Sequence, residues 1–229
     1  MRQEGNRAMR KHTGRWGRVI AGATLLLLLL PLAADAAKGK KKKKKSGDLA
    51  QAIALYQAGQ YNEAIGLLDT ITQSESENPE AFFYLGMSHK GLDHYDPAVS
   101  NLQRAASLDA DHFEARKEAG GYQFERRDYA AARGNLDAAS RIKSNDATVE
   151  YQRGASAYLL NDYNGAKVPL EGAVQLNAAH PHSHYFLGLT YYQLRDFGRA
   201  IEQLSIFVQQ APEAPEAAQA RQLLAALRN

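Results

Sequence analysis

Pro79-Glu80-Ala81-Phe82-Phe83-Tyr84-Leu85-Gly86-Met87-Ser88-His89-Lys90-Gly91-Leu92-Asp93-His94-Tyr95-Asp96-Pro97-Ala98-Val99-Ser100-Asn101-Leu102-Gln103-Arg104-Ala105 is one copy of a pattern that this chain writes five times. Phe82, Leu85, Gly86 and His89 fall on one stripe at helical spacing, with His89 read as a packed core histidine. Gly91-Leu92-Asp93-His94 then breaks the pattern, and Tyr95 opens a second stripe through Ala98, Leu102 and Ala105. Pro79 suits a first helical position, where the missing amide has no helical partner anyway. The stretch predicts two helices folded back on each other.

Outward from this copy the same residue types recur every 34 positions. A small residue stands at Ala52, Gly86, Gly120, Gly154 and Gly188, and an aromatic at Tyr61, Tyr95, Tyr129, Tyr163 and Phe197. Alanine follows three places later, at Ala64, Ala98, Ala132, Ala166 and Ala200, and leucine seven places later, at Leu68, Leu102, Leu136, Leu170 and Leu204. A fixed period of this size marks stacked supersecondary units. The units read 45–78, 79–112, 113–146, 147–180 and 181–214, with a remnant at 215–229. Pro181 and Pro215 repeat the role of Pro79, while Asp128, Asp162 and Asp196 sit where N-caps of second helices belong. A mid-helix glycine costs about 0.5–1 kcal/mol relative to alanine, so four of them imply a close helix crossing.

The pattern resembles the tetratricopeptide repeat family over residues 45–229, on Leu85-Gly86, Tyr95, Ala98, Leu102 and Ala105, with Ala139, Ala173 and Phe207 at the last place in later units. The resemblance implies an all-α, right-handed α-solenoid of about five helical hairpins, spanning 48–229 and ended by a capping helix at 215–229. Two departures stand out. The proline near each unit's end survives only as Pro212, and the bulky fourth place of Phe82 becomes Arg116, Glu150 and His184, which implies looser packing in the middle.

In the family the first helix of each hairpin lines a concave groove. The groove-facing places here read Leu49, Ile53 and Tyr56; Phe83, Met87 and Lys90; Lys117, Gly121 and Phe124; Tyr151, Ala155 and Tyr158; and His182, Tyr185, Leu189 and Tyr192. Seven rings on one stripe is a large share of the 20 Phe, Trp and Tyr in the chain. They either pack helix against helix or present a binding face, for which tyrosine suits a wet surface. The carboxylate-clamp mode of chaperone-binding members needs lysine at the fifth place with asparagine at the ninth; Lys117 is followed by Gly121, so that mode is not expected.

The first 36 residues are of another kind. Arg2, Arg7, Arg10, Lys11, Arg15 and Arg18 precede an uncharged run from Val19 to Ala34, and Ala34-Asp35-Ala36 fits a cleavage site. That order predicts a secretory signal peptide over 1–36, or to 37, read from Met1 or from Met9. The uncharged run is interrupted by Pro31 and falls short of the roughly 20 residues of a spanning helix. Residues 37–47 read as a disordered lysine-rich linker. The alternative for Lys40–Lys45 is peripheral contact with anionic membrane or cell-wall polymer, at about 1 kcal/mol per lysine near a charged surface.

The formal charge of +3 misleads, because leader and lysine run hold thirteen of the 28 cations. The rest carries fifteen basic against twenty-three acidic residues, −8, which argues against nucleic acid. With no cysteine there is no disulfide, no thiolate and no lipid-anchor site. His180, His182 and His184 are the one weak candidate for a metal, since His180 and His184 are spaced i, i+4 but lack a carboxylate companion. Paired acids such as Asp109 and Asp111 lie in turns, and no phosphate loop or nucleophile elbow is present. The sequence therefore predicts no enzyme and no cofactor, but a periplasmic or envelope scaffold holding a partner peptide or protein in the ring-lined groove. An inner-membrane-anchored adaptor that keeps its leader is the alternative.

Overall fold

The computed structural model describes residues 47–228; the leader, Ala34 and Ala36, and the lysines of 38–45 lie outside the described residues. Residues 48–229 form one compact unit. Among the described residues every regular element is a helix. Helix α1 covers 47–57. It is followed by α2 (Tyr61–Ser74), α3 (Pro79–Gly91), α4 (Tyr95–Leu108), α5 (Phe113–Glu125), α6 (Tyr129–Ile142), α7 (Ala147–Leu159), α8 (Tyr163–Leu176), α9 (Pro181–Gln193), α10 (Phe197–Gln210) and α11 (Ala217–Arg228). From α1 to α10, odd-numbered helices open hairpins and even-numbered ones close them, and α11 packs on the last.

Local chemistry explains the boundaries. Asn78, Asp128, Asp162 and Asp196 accept backbone N–H bonds from Ala81, Ala131, Gly165 and Arg199, so four helices start on a side-chain cap. Asp146 caps α7 through Thr148 and Val149, at 3.1 and 3.0 Å. Each turn inside a hairpin holds one left-handed residue at the same place of the period: Gly59, Asp93, Arg127, Asn161 and Arg195, with φ between 60° and 74°. The next amide reaches back five residues, as in Asp128 to the Gln123 carbonyl at 2.9 Å and Asp196 to Tyr191 at 2.9 Å. This is the Schellman closure, which satisfies the last carbonyls of the first helix.

Inside each hairpin the crossing is tight. A Cβ placed on Gly86, Gly120, Gly154 or Gly188 would lie 2.8, 2.7, 2.5 and 2.7 Å from the Cγ of Leu102, Leu136, Leu170 and Leu204. Ala98, Ala132, Ala166 and Ala200 face the same crossing with no exposure, as do the four leucines. Each leucine contributes about 1.5–3 kcal/mol by leaving water.

Hairpins join when each second helix packs on the following first helix, and α3, α5, α7 and α9 also touch in succession. Successive second helices make no contact of comparable extent among the described residues. The layer of first helices is therefore the closer-spaced one. In a stack of such hairpins, that is the side toward which the layer bends.

Several expectations change. The fourth place is polar without being loose. Arg116 donates to the Ala106 carbonyl at 3.2 Å. Buried Glu150 receives Ser140 Oγ at 2.5 Å and Arg153 at 2.8 Å, and Arg153 also reaches Asp137 at 2.6 Å. Hydrogen bonds replace ring packing there, so the middle is joined by a polar network instead of an apolar one. His89 is half-buried, not a core residue, because His94 draws its ring outward at 3.2 Å between nitrogens. Pro215 stands in a turn, and α11 begins two residues later. Phe197 packs less than the other aromatics of its place and stays 45% exposed, touching the Tyr192 ring at 5.9 Å.

Candidate partner-binding groove

The face formed by the first helices carries rings because the period returns them to one stripe. At the twelfth place Tyr56, Phe124, Tyr158 and Tyr192 each lean on the aromatic that opens the second helix of their own hairpin. The centroids are 5.8, 5.7, 5.4 and 5.9 Å apart. These contacts orient the rings without covering them, and all four remain half-buried.

Successive hairpins are bridged by rings at the sixth place, Tyr84 and Phe186, which the groove stripe read from the sequence had passed over. Tyr84 sits 5.3 Å from Tyr56 and 5.1 Å from Phe83, and Phe83 reaches His112 at 5.0 Å. Phe186 lies 6.1 Å from Tyr151, 5.6 Å from Tyr158 and 5.5 Å from Tyr185, while Tyr151 meets Phe124 at 6.0 Å. The rings thus form two ladders, one on α1 and α3, the other from the end of α5 through α7 to α9. Their shared sixth place, Tyr84 in the second unit and Phe186 in the fifth, is the signal that marks them in the sequence, although Glu118 and Gln152 fill it between them.

Between the ladders lies a charged saddle on α5. Lys90 from α3 pairs with Glu118 at 2.8 Å, and Lys117 pairs with Asp146 at 2.7 Å. Burial works to lower the Lys117 pKa, but its hydrogen bond to Asp146 and that carboxylate's charge together raise it. Burial likewise opposes ionisation of Asp146, and the Lys117 bond with the capped amides outweighs it, leaving that pKa lowered. Gly121 is buried at the ninth place, where a Cβ would come 3.3 Å from Gln152 Oε1.

The groove is narrower than the sequence implies. Tyr185 and Leu189 are only 6% and 7% exposed, because α11 places Ala217, Ala220 and Leu224 against them. The Tyr185 hydroxyl donates to Gln219 at 3.1 Å. These two residues belong to the seam beneath the last helix and do not line an open face. Phe83, Met87, Lys117, Phe124, Tyr151, Tyr158 and Tyr192 stay half-exposed together with Tyr56. Beside Tyr151 a hollow of about 230 Å³ opens, lined by Ala147, Thr148, Gln152, Asn177 and His180. Burial, with the charge of Glu216 next, pushes the Tyr151 phenol up to about 12; burial also raises Tyr158, Tyr56 and Tyr84. These hydroxyls stay neutral donors at physiological pH.

The three histidines do not converge. His184 is buried, with Nε2 donating to the Ala178 carbonyl at 2.9 Å and Nδ1 paired with Gln203 at 2.7 Å. His180 is bonded to Ser183 at 2.8 Å and lies 4.6 Å, edge-on, from Tyr151. His182 faces Glu216 at 3.7 Å. Among the described residues no group of three metal-ligating side chains could hold an ion. The triplet is spent on fixing a turn and its neighbours.

The sequence profile of the tetratricopeptide repeat family matches residues 49–90 and 151–215. No curated protein matches the chain. Among solved structures, YrrB, described as a tetratricopeptide protein with an unusual peptide-binding site, superposes with a TM-score of 0.72 at 17% identity, over 81% of this chain and 97% of its own. MamA from Desulfovibrio magneticus RS-1 gives 0.64 at 20% identity, over 75% of this chain and 97% of its own. A further MamA structure gives 0.65 at 16%, over 76% and 94%. The fold is thus an all-α helical repeat of the tetratricopeptide kind, and the family profile matches it in the first hairpins and the last ones.

Proposed function

We propose that this protein is a non-catalytic scaffold that holds a peptide segment of a partner protein along the ring-lined face of its first helices. The observation that carries the reading is the pair of half-exposed ring ladders on the closer-spaced helix layer. Neutral phenols supply contact area and a hydroxyl at little entropic cost, and such rings dominate binding energy at interfaces. The likeness to a structure described as having a peptide-binding site supports the same use of the fold.

The basic-apolar-small order of residues 2–36 supports export, so the scaffold would work in a bacterial periplasm or envelope and help assemble a complex there. The mass of the mature N-terminus tests the address: Ala37 or Lys38 first supports export, and an intact leader supports the anchored adaptor.

The function is tested by capture from envelope extracts with wild-type protein and with Phe83→Ala/Tyr158→Ala. A partner retained by the first and lost from the second, with helix content unchanged, supports the groove. Equal retention would return the rings to a packing role.

A further inference from the structure

We propose that the segment bound in this groove is basic as well as apolar, and that its cationic side chains seat along α3 and α5 beside the first ring ladder. The inference rests on the groove reading above and specifies the chemistry of its ligand.

The charge of the array is divided unevenly along its length. Residues 48–112 hold ten acidic side chains against two cations, Lys90 and Arg104, a formal balance of −8. Residues 113–229 hold thirteen of each and balance at zero. The net negative charge of the array therefore comes from the first two hairpins, where α1 and α3 carry Tyr56, Phe83, Tyr84 and Met87.

Of that charge Glu80 reaches the groove, where Glu114 and Glu118 at the start of the third hairpin adjoin it. The two cations on this stretch of the face are already engaged, Lys90 by Glu118 and Lys117 by Asp146. Glu80 and Glu114 open α3 and α5 as exposed side chains and make no ion pair among the described residues. Glu80 lies close enough to raise the Tyr84 phenol after burial, and Glu118 adds to the rise at Tyr56. An acidic first turn also suits the helix dipole, but a dipole accounts for one residue per helix and not for a balance of −8.

The far half of the groove contrasts with this. Tyr185 and Leu189 lie under α11, and the polar side chains at the second, sixth and thirteenth places include the neutral Thr148, Gln152 and Gln193. Apolar floor and negative rim coincide only over α1, α3 and α5. Such a rim attracts cationic segments, rejects acidic ones, and lets a lysine or arginine rest over a tyrosine face. The occupant is a protein segment with Lys or Arg interleaved among apolar residues.

The test uses the full chain and two synthetic twelve-residue peptides with Leu and Phe at alternate positions and either Lys or Glu between them. Binding is read by calorimetry at 50 and 300 mM salt. The Lys peptide is expected to bind at least tenfold tighter than the Glu peptide at low salt, with the advantage shrinking at high salt. Glu80→Lys/Glu114→Lys should remove most of it, whereas the charge-matched control Glu202→Lys/Glu213→Lys, on α10 and the turn after it, should not. Equal affinity for both peptides, preference for the Glu peptide, no binding of the Lys peptide at millimolar concentration, or indifference to Glu80→Lys/Glu114→Lys would overturn the inference. Phe83→Ala separates the two readings. A charge-blind interaction that weakens in this variant refutes only the basic chemistry, and peptide binding unaffected by it counts against the groove itself.

Discussion

Gly154→Ala adds one methyl group at the tightest of the hairpin crossings. Its Cβ would lie 2.5 Å from Leu170 Cγ and 3.1 Å from the Ala166 carbonyl oxygen. Carbon atoms in good contact stand about 3.5–4.0 Å apart, so α7 and α8 must part by a large fraction of an ångström or Leu170 must leave its rotamer. Leu170 is fully buried and the carbonyl belongs to helix backbone, so neither yields cheaply. Overpacking of this kind costs about 1–3 kcal/mol, and the better helix propensity of alanine returns up to about 1 kcal/mol. The net loss is about 1–2 kcal/mol, or roughly 2–8 °C in Tm for a body of this size. Gly134→Ala is the matched control: it is interior to α6, exposed, and nothing lies within 4 Å of its would-be Cβ. That change should stabilise by about 0.5–1 kcal/mol. Urea unfolding followed by circular dichroism, with m-values compared, reads both. If Gly154→Ala stabilised the protein as Gly134→Ala does, the close-crossing account would be wrong.

Further outcomes follow from other parts of the fold. Arg127→Gly relieves a left-handed conformation at φ 64° that costs a side-chain-bearing residue about 1 kcal/mol, so Tm should rise by a few degrees in calorimetry. Asp146→Ala removes both the α7 cap and the Lys117 ion pair, and about 0.5–2 kcal/mol should be lost at pH 7. Because the folded Asp146 pKa is lowered, its contribution is present above the ordinary carboxylate value near 3.9 and lost as pH falls through the folded value. The gap between wild type and Asp146→Ala should therefore narrow in urea titrations as pH falls below the ordinary carboxylate value. His184→Ala removes the two hydrogen bonds of a buried ring, to the Ala178 carbonyl and to Gln203, and should lower stability, while added zinc should change neither variant's Tm.

The hairpins were legible because a buried crossing admits few residues. Glycine, alanine and leucine had to return every 34 places, and no surface demand competed there. The groove was legible as a stripe of rings but not as a pair of ladders, since Tyr84 and Phe186 fall between the places usually counted. Coverage of Tyr185 and Leu189 escaped the pattern because it depends on where α11 lies, and Pro215 pointed to a helix start that the chain uses as a turn. Arg116, Glu150 and His184 read as defects until their partners were seen, because polar satisfaction is a property of neighbours. The left-handed turn residue was hidden as well: glycine stands at Gly59 alone, and Asp93, Arg127, Asn161 and Arg195 hold the same conformation without its signature.

A chain without cysteine allows the central claim to be tested by position. Single cysteines at Met87→Cys, on the groove stripe, and Val168→Cys, 67% exposed on the second-helix layer, can each carry a photoactivatable crosslinker. With captured partner in excess, crosslinking from position 87 and none from position 168 is the predicted result. Crosslinking from position 168 with position 87 silent would place the partner on the other layer and contradict the account.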